Sequence, residues 1–311
     1  MNPFAQGIPL ERPDHAPAPA MKVPAELVCS WPVGTFVENL VALTDGGLIV
    51  SVLSERELVR IDPGRPPQTF ARLPDSPTGL SQVGRDLFVN VGEPGKGGWS
   101  IHRVGPDGGS EKALDVPEAY FLNGSTPFQR NSLLVVDAAL GRVFLVNTRT
   151  RTHTLWLEHP LLGKASSEPM LPGVNGVKLF RGNVYFTSTD RALVLRVSVK
   201  ADGTPGAVET LADRFVGDDF AFDVDGNMYV ATHVHNQLQR LGPTGERVVL
   251  AGPEEGMNGS TAVAFGRGPT NQRSLYVTTT GGIFAPLDGR VREAKVVRLD
   301  VGVEGAAVAG D

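Results

Sequence analysis

The chain has 311 residues, with 29 lysines and arginines against 34 aspartates and glutamates and no basic run, so nothing in it would draw it onto a nucleic-acid backbone. Its 41% hydrophobic residues are enough for a large core, and 37 glycines with 24 prolines describe many short strands joined by many turns. One cysteine, Cys29, excludes an intrachain disulfide and a cysteine-rich metal knuckle, and no stretch approaches the roughly 18 apolar residues of a membrane helix.

In chain order, residues 1–24 form a proline-rich leader, expected to be loosely ordered. It lacks the basic start and apolar stretch of a secretory signal, which points to the cytoplasm. Residues 27–31 read as a strand without a sheet of its own. From there a strand-rich pattern recurs to residue 300. Apolar, β-branched runs stand at 47–51, 87–91, 133–137, 183–187, 228–232 and 275–279. A partly alternating partner follows each, at 57–62, 100–104, 142–146, 193–197, 237–241 and 295–300, as suits half-buried strands. A short leading segment precedes each run: Glu38-Asn39, Thr78-Gly79-Leu80, Leu122-Asn123-Gly124, Val174-Asn175-Gly176, Asp218-Asp219-Phe220 and Ser260-Thr261-Ala262.

The steps between Glu38, Gly79, Asn123, Asn175, Asp218 and Thr261 are 41, 44, 52, 43 and 43 residues. A period in the forties with several strands per unit is the signature of four-stranded blades set in a circle. The expected fold is therefore all-β, a single six-bladed β-propeller of four-stranded antiparallel blades over 25–303, with a Gly/Ala tail at 304–311. The last unit lacks an outer strand, and pairing it with 27–31 closes the ring.

In such a ring the first strand of every blade lines the central channel, so residues at matched phase meet although far apart in sequence. The repeat would bring Glu38, Asn123, Asn175 and Asp218 to one mouth. Two carboxylates and two amides offer oxygen acceptors, the preference of a hard cation. Asn-Gly and Asp-Asp pairs are also ordinary turn residues, but these precede the strands, whereas the turn pairs Asp45-Gly46 and Asp225-Gly226 lie elsewhere in the unit.

At these positions the chain resembles the family of senescence marker protein, gluconolactonase and luciferin-regenerating enzyme. The carriers are Glu38 in Phe36-Val-Glu-Asn-Leu-Val, Asn123 in Leu122-Asn-Gly, Asn175 in Val174-Asn-Gly-Val, and the stretch from Gly217-Asp-Asp-Phe through Asp223 to Asp225-Gly-Asn-Met-Tyr-Val-Ala. The resemblance implies one divalent cation, calcium foremost, with magnesium, manganese or zinc compatible. It assigns Glu38, Asn175 and Asp218 as ligands and Asn123 to water or substrate beside the ion. Asp218, rather than Asp219, keeps the family's five-residue step to Asp223; Asp219 is left either beside the ligands or in competition for that role. In the sugar-lactone members an arginine stands two residues before the channel asparagine, and here Phe121 takes its place. With Tyr120 and Phe220 it would make an apolar wall, so the substrate is expected to be less polar than a sugar lactone.

The resulting expectation is a metal-dependent hydrolase of a small lactone or ester, with Asp218 and Asn123 catalytic and with Asn123, Phe121, Tyr120, Asp219, Phe220 and His233 around the substrate. It would act as a monomer or weak dimer, away from membranes and nucleic acid. A non-hydrolytic, cyclase-like biosynthetic enzyme and a ligand-binding propeller without turnover remain the alternatives. His233-Val-His235 puts two imidazoles on one side of an extended segment, either a second metal or base at the mouth or polar residues at a strand end. Asp223-Val-Asp-Gly-Asn227 echoes a calcium loop, but lacks its twelfth-place glutamate and reads as a hairpin turn. No G-x-S-x-G nucleophile elbow and no P-loop spacing occur.

Overall fold

The structure, a computed structural model, describes residues 3–168 and 170–308. The first two residues of the expected leader and the last three of the expected tail lie outside the described residues. Six four-stranded sheets make the fold a six-bladed β-propeller. No helix among the described residues is long and apolar enough to cross a membrane.

The first sheet runs Val37–Ala42, Leu48–Val52, Glu57–Ile61 and Gln68–Arg72. The second holds Pro77–Val83, Asp86–Val91, Trp99–Val104 and Ser110–Val116. Leu122–Pro127, Ser132–Asp137, Arg142–Asn147 and Thr152–Glu158 build the third. Val174–Phe180, Asn183–Ser188, Leu193–Val199 and Pro205–Ala212 build the fourth. The fifth contains Phe220–Phe222, Met228–Thr232, Gln237–Leu241 and Arg247–Ala251. The sixth has Ser260–Phe265, Ser274–Thr279 and Glu293–Asp300 and takes its outer strand, Ala25–Val33, from the N-terminal part of the chain. Leu27 pairs with Val297 and Trp31 with Ala294, so the strand without a sheet finds the sheet without an outer strand.

Two compact units divide the chain, one of residues 16–70 and 218–306 with the first twelve, the other mainly of 71–217. In the first, Val37, Val50 and Val59 pack with Ala262 and Val296, while Tyr229 and Leu238 pack with Val263 and Val277. In the second, Trp99 and Ile101 meet Leu122 and Val135, and Leu134 and Val143 meet Val177 and Phe186. Each fully buried Val, Leu or Phe contributes about 1.5–3 kcal/mol relative to exposure, so these seams between sheets hold each unit together. The tight hairpins follow from local chemistry. Gly46 sits at φ 92°, which a side chain would resist, and the Asp45 carboxylate accepts the N–H of Gly47 at 3.0 Å.

The first strands are irregular where the repeat had its leading residues. Register slips fall between Val37 and Asn39, Pro77 and Leu80, Leu122 and Ser125, Val174 and Val177, and Ser260 and Val263. A bulge breaks strand alternation and re-aims a side chain. Asn123-Gly124 and Asn175-Gly176 thus lie at bulges inside strands, not in turns, and small residues at this phase answer to space. A Cβ on Gly79 would lie 2.1 Å from the Asn123 carbonyl oxygen, and one on Gly124 would lie 2.3 Å from that of Asn175.

The leader makes backbone contacts within the first unit. Ile8 and Leu10 donate to the carbonyls of Ile283 and Phe284, and Met21 and Val23 to those of Val249 and Leu250. At the other end, Ala306 donates to the Phe222 carbonyl.

Candidate functional site

In the first unit the bulge at Val37–Asn39 carries Glu38, which is only 7% exposed. Asp218 and Asp219 stand just before Phe220–Phe222, pinned by main-chain bonds: Asp218 N–H to Ala231, Asp219 N–H to Thr261, and Ala231 N–H back to Asp219. The two carboxylates then diverge in role. Asp219 accepts the N–H of Phe220 at 2.9 Å on one oxygen and the Asn39 amide at 3.3 Å on the other. One oxygen of Asp218 meets Nδ1 of His233 at 3.0 Å.

His233 opens a short turn of 3-10 helix, His233–His235, after the strand Met228–Thr232. The segment is a turn rather than extended, so strand alternation does not set its two imidazoles on one side. His233 is 7% exposed, and its ring packs against those of Phe36, at 5.8 Å between centroids, and Phe284, at 5.2 Å. Its Nε2 is 3.2 Å from the Thr280 hydroxyl. Burial pushes the imidazole down to about 4, so it is neutral near pH 7. A carboxylate can only accept, which puts the one ring proton on Nδ1 facing Asp218 and leaves Nε2 to accept from Thr280.

Glu38 is pushed the other way, up to about 8, by burial first and then by the negative charges of Asp218 and Asp219, with His233 opposing. Among the described residues no hydrogen-bond donor meets its carboxylate. A buried carboxylate in such company takes up a proton or a cation. Glu38, with the Asp218 carboxylate beside it, therefore suits a hard, oxygen-preferring cation. Among the described residues no three His, Cys, Asp or Glu side chains are grouped so as to hold a metal ion; the expected set has only two carboxylates, with an amide as its third member.

In the second unit the bulges bring Asn123 and Asn175 together. The Asn123 amide donates to Oδ1 of Asn175 at 2.8 Å, and the Asn175 amide donates to the Thr189 hydroxyl at 3.0 Å. Thr189 passes its own proton to the Gly217 carbonyl at 2.7 Å, and Asn90 donates to the Asn123 carbonyl at 2.5 Å. Because the Gly217 carbonyl can only accept, the direction of every bond in the chain is set and both amide orientations are fixed.

The expected apolar wall is distributed. Tyr120 is 48% exposed, and its N–H and that of Phe121 are held by the two oxygens of Asp137. The Phe121 ring tilts onto Trp99 at 5.9 Å, and Phe220 is fully buried edge-on to Phe222 at 5.7 Å; both pack as core residues do. The calcium-loop look-alike is a hairpin turn: the Asp223 carboxylate accepts the Asp225 and Asn227 N–H groups, the Asn227 amide and the Tyr229 hydroxyl. Sequence reasoning did not single out Thr280, Thr189, Asn90, Phe284 or the ring of Phe36 as site residues. Only Phe36 carried a signal, standing two residues before Glu38.

No family model matches the chain. A curated relative from Sarocladium schorii named "Putative hetero-Diels-Alderase asR5" is 24% identical over 320 residues, covering 82% of this chain and 78% of its own length. One from Phoma sp, named "Putative hetero-Diels-Alderase", is 25% identical over 317 residues, covering 85% and 89%. Among solved structures, a luciferin-regenerating enzyme matches at TM-score 0.70 and 16% identity over 92% of this chain and 98% of its own. Regucalcin from Agrobacterium tumefaciens, described as a calcium-binding protein, matches at 0.71 and 16% over 94% and 98%. At such identities the likeness to these structures is one of fold.

Proposed function

We propose that the chain is an enzyme that closes a ring without hydrolysis, by a hetero-cycloaddition on a conjugated and largely apolar substrate bound at Glu38, Asp218 and His233. The observation that carries this reading is that both curated relatives, aligned over most of their lengths, bear the name of that reaction. The geometry is compatible with it. A cycloaddition forms its bonds together and adds no water, so the protein must hold a planar π system in its reactive pose and place a hydrogen-bond donor at the heteroatom. Phe36 and Phe284, both nearly buried, offer the apolar surface. The Glu38 carboxyl offers the donor, and Asp218 and Thr280 fix the His233 ring on its two sides.

A second reading, metal-dependent hydrolysis of a lactone or ester, is favoured by the donor-free Glu38 carboxylate beside Asp218. In it Glu38 and Asp218 would hold one divalent cation, calcium foremost, and the sequence resemblance adds Asn175 as a ligand and Asn123 beside the substrate. The cation, when bound, supplies a Lewis acid for the carbonyl and a bound water of lowered pKa. Asp218 would accept a proton from the attacking water.

One experiment separates the two. The protein is incubated with a panel of lactones and with conjugated enones plus an electron-rich alkene, with and without chelator, and products are read by mass. A product with the summed mass of its reactants, formed whether or not chelator is present, supports ring closure. Products heavier than a lactone by one water, lost with chelator, move the protein to the hydrolases.

A further inference from the structure

The leader, set aside in the sequence as loose, reaches the rings beside His233. Pro3–Gln6 form one short turn of 3-10 helix, closed by the Gly7 N–H on the Phe4 carbonyl at 3.1 Å. Gly7 then lets the chain through a narrow place. It sits at φ 76°, and a Cβ there would lie 3.1 Å from a Val291 methyl and 3.2 Å from the Ile283 carbonyl oxygen. Beyond it, Ile8 donates to Ile283 at 2.7 Å and Leu10 to Phe284 at 3.1 Å.

The stretch the leader grips is the one that carries the Phe284 ring to His233. Its next residue is held from below, where the Asn236 amide donates to the Ala285 carbonyl at 2.9 Å. Phe284 is thus fixed between Asn236 and the leader. The Phe4 ring stands edge-on to Phe36 at 5.7 Å, and Phe36 in turn lies edge-on to Phe284 at 5.7 Å. Phe4, Phe36 and Phe284 form one linked set of rings, of which the last two border the imidazole. Edge-to-face pairs prefer a definite geometry, so fixing one ring limits the others.

From this we infer that residues 3–10 are a wall of the substrate site, and that Phe4 is a specificity-determining residue which, by bracing Phe36 and Phe284, selects flat, apolar, conjugated substrates. The inference rests on the reading that substrate binds beside Glu38 and His233. It assigns the leader a role in binding without placing it among the groups that touch reacting atoms.

The test uses coumarin, a neutral planar conjugated lactone, titrated calorimetrically into the full chain with chelator present. The wild type, Phe284→Ala, Phe4→Ala, Gly7→Ala and a chain lacking residues 2–10 are compared, and amide exchange at Ile8 and Leu10 is followed in the full-length chains. Expected results are binding by the wild type, loss of binding in Phe284→Ala, and a weakening of about tenfold in Phe4→Ala and Gly7→Ala, as an aromatic contact of moderate strength implies. Exchange at Ile8 and Leu10 should be slow in the wild type and fast in Gly7→Ala. If Phe284→Ala loses binding while Phe4→Ala and the shortened chain keep the wild-type affinity, the leader is no wall and the inference falls, with the site reading intact. Tighter binding by the shortened chain would make the leader a plug, and also overturns it. If Phe284→Ala binds as the wild type does, or the wild type does not bind at all, the site and the substrate class fall together.

Discussion

Asn123 and Glu38 occupy equivalent places, each in the bulge of a first strand, yet they are stabilised in opposite ways. Around Asn123 every step is neutral and is completed by the protein: Asn90, Asn123, Asn175, Thr189 and Gly217 hand hydrogen bonds along one line. Around Glu38 the charges are alike in sign, and the carboxylate has no donor among the described residues. The same backbone device therefore yields one region that is satisfied by itself and another whose carboxylate has like charges beside it and no donor among the described residues. Amides can close a network because each both donates and accepts; carboxylates only accept.

The strongest way to break this contrast is Asp218→Ala. It removes the acceptor of the His233 Nδ1 proton and one of the charges beside Glu38. Turnover of whatever substrate the mass assay finds should fall by about 100-fold, through a displaced His233 ring beside the substrate under the first reading and a lost proton acceptor under the second. Steady-state rates of a well-folded variant decide it, and an unchanged kcat would remove Asp218 from the site under both readings.

The next effect is on stability. Glu38 ordinarily titrates near 4.5 and is raised to about 8 in the fold, so the folded protein holds a proton that the unfolded chain has released. Its contribution is present in full below pH 4.5 and is lost as pH rises towards 8. Metal-free wild type should melt progressively lower between pH 5 and pH 8 than a Glu38→Gln variant, which keeps a neutral side chain throughout. If a cation is the natural partner, calcium should restore the melting temperature of the wild type at pH 8 and leave Glu38→Gln unmoved. A pH-independent difference between the two would show that Glu38 does not carry the strain assigned to it.

Much of the architecture was readable beforehand because it is repeated. The strand runs at 228–232 and 237–241 coincide with Met228–Thr232 and Gln237–Leu241, and the unpartnered strand at 27–31 falls within Ala25–Val33. Periodicity also put Glu38, Asn123 and Asn175 at one phase of the repeat, where bulges recur, and Asp218 just before the first strand of its sheet. It could not tell which acceptor each side chain would meet. Thr280 and Thr189 left no mark because a threonine in a β-rich sequence is ordinary, and only the fold puts one on His233 and the other on Asn175. An Asn-Gly pair favours turns in general, and only the matched phase argues against that at Asn123-Gly124, whose glycine is selected by the approach of the Asn175 carbonyl. The leader's proline content suggested looseness, yet proline limits the chain without preventing the main-chain bonds of Ile8 and Leu10.

The self-contained region can be probed by removing its links one at a time. Thr189→Val keeps the shape but leaves the Asn175 amide without an acceptor and the Gly217 carbonyl without a donor. Both are buried, so the midpoint of urea unfolding should drop by the equivalent of about 1–3 kcal/mol. Asn90→Ala is the gentler cut. It removes a single donor from the Asn123 carbonyl and leaves the side-chain relay from Asn123 to Thr189 in place. Its cost should be about 1 kcal/mol, and it should be the same at pH 5 and pH 8, because no ionisable group belongs to that chain. A loss that grew with pH, as the loss at Glu38 is expected to grow, would mean that the amide line carries charge-dependent strain and that the contrast drawn from Asn123 and Glu38 is wrong.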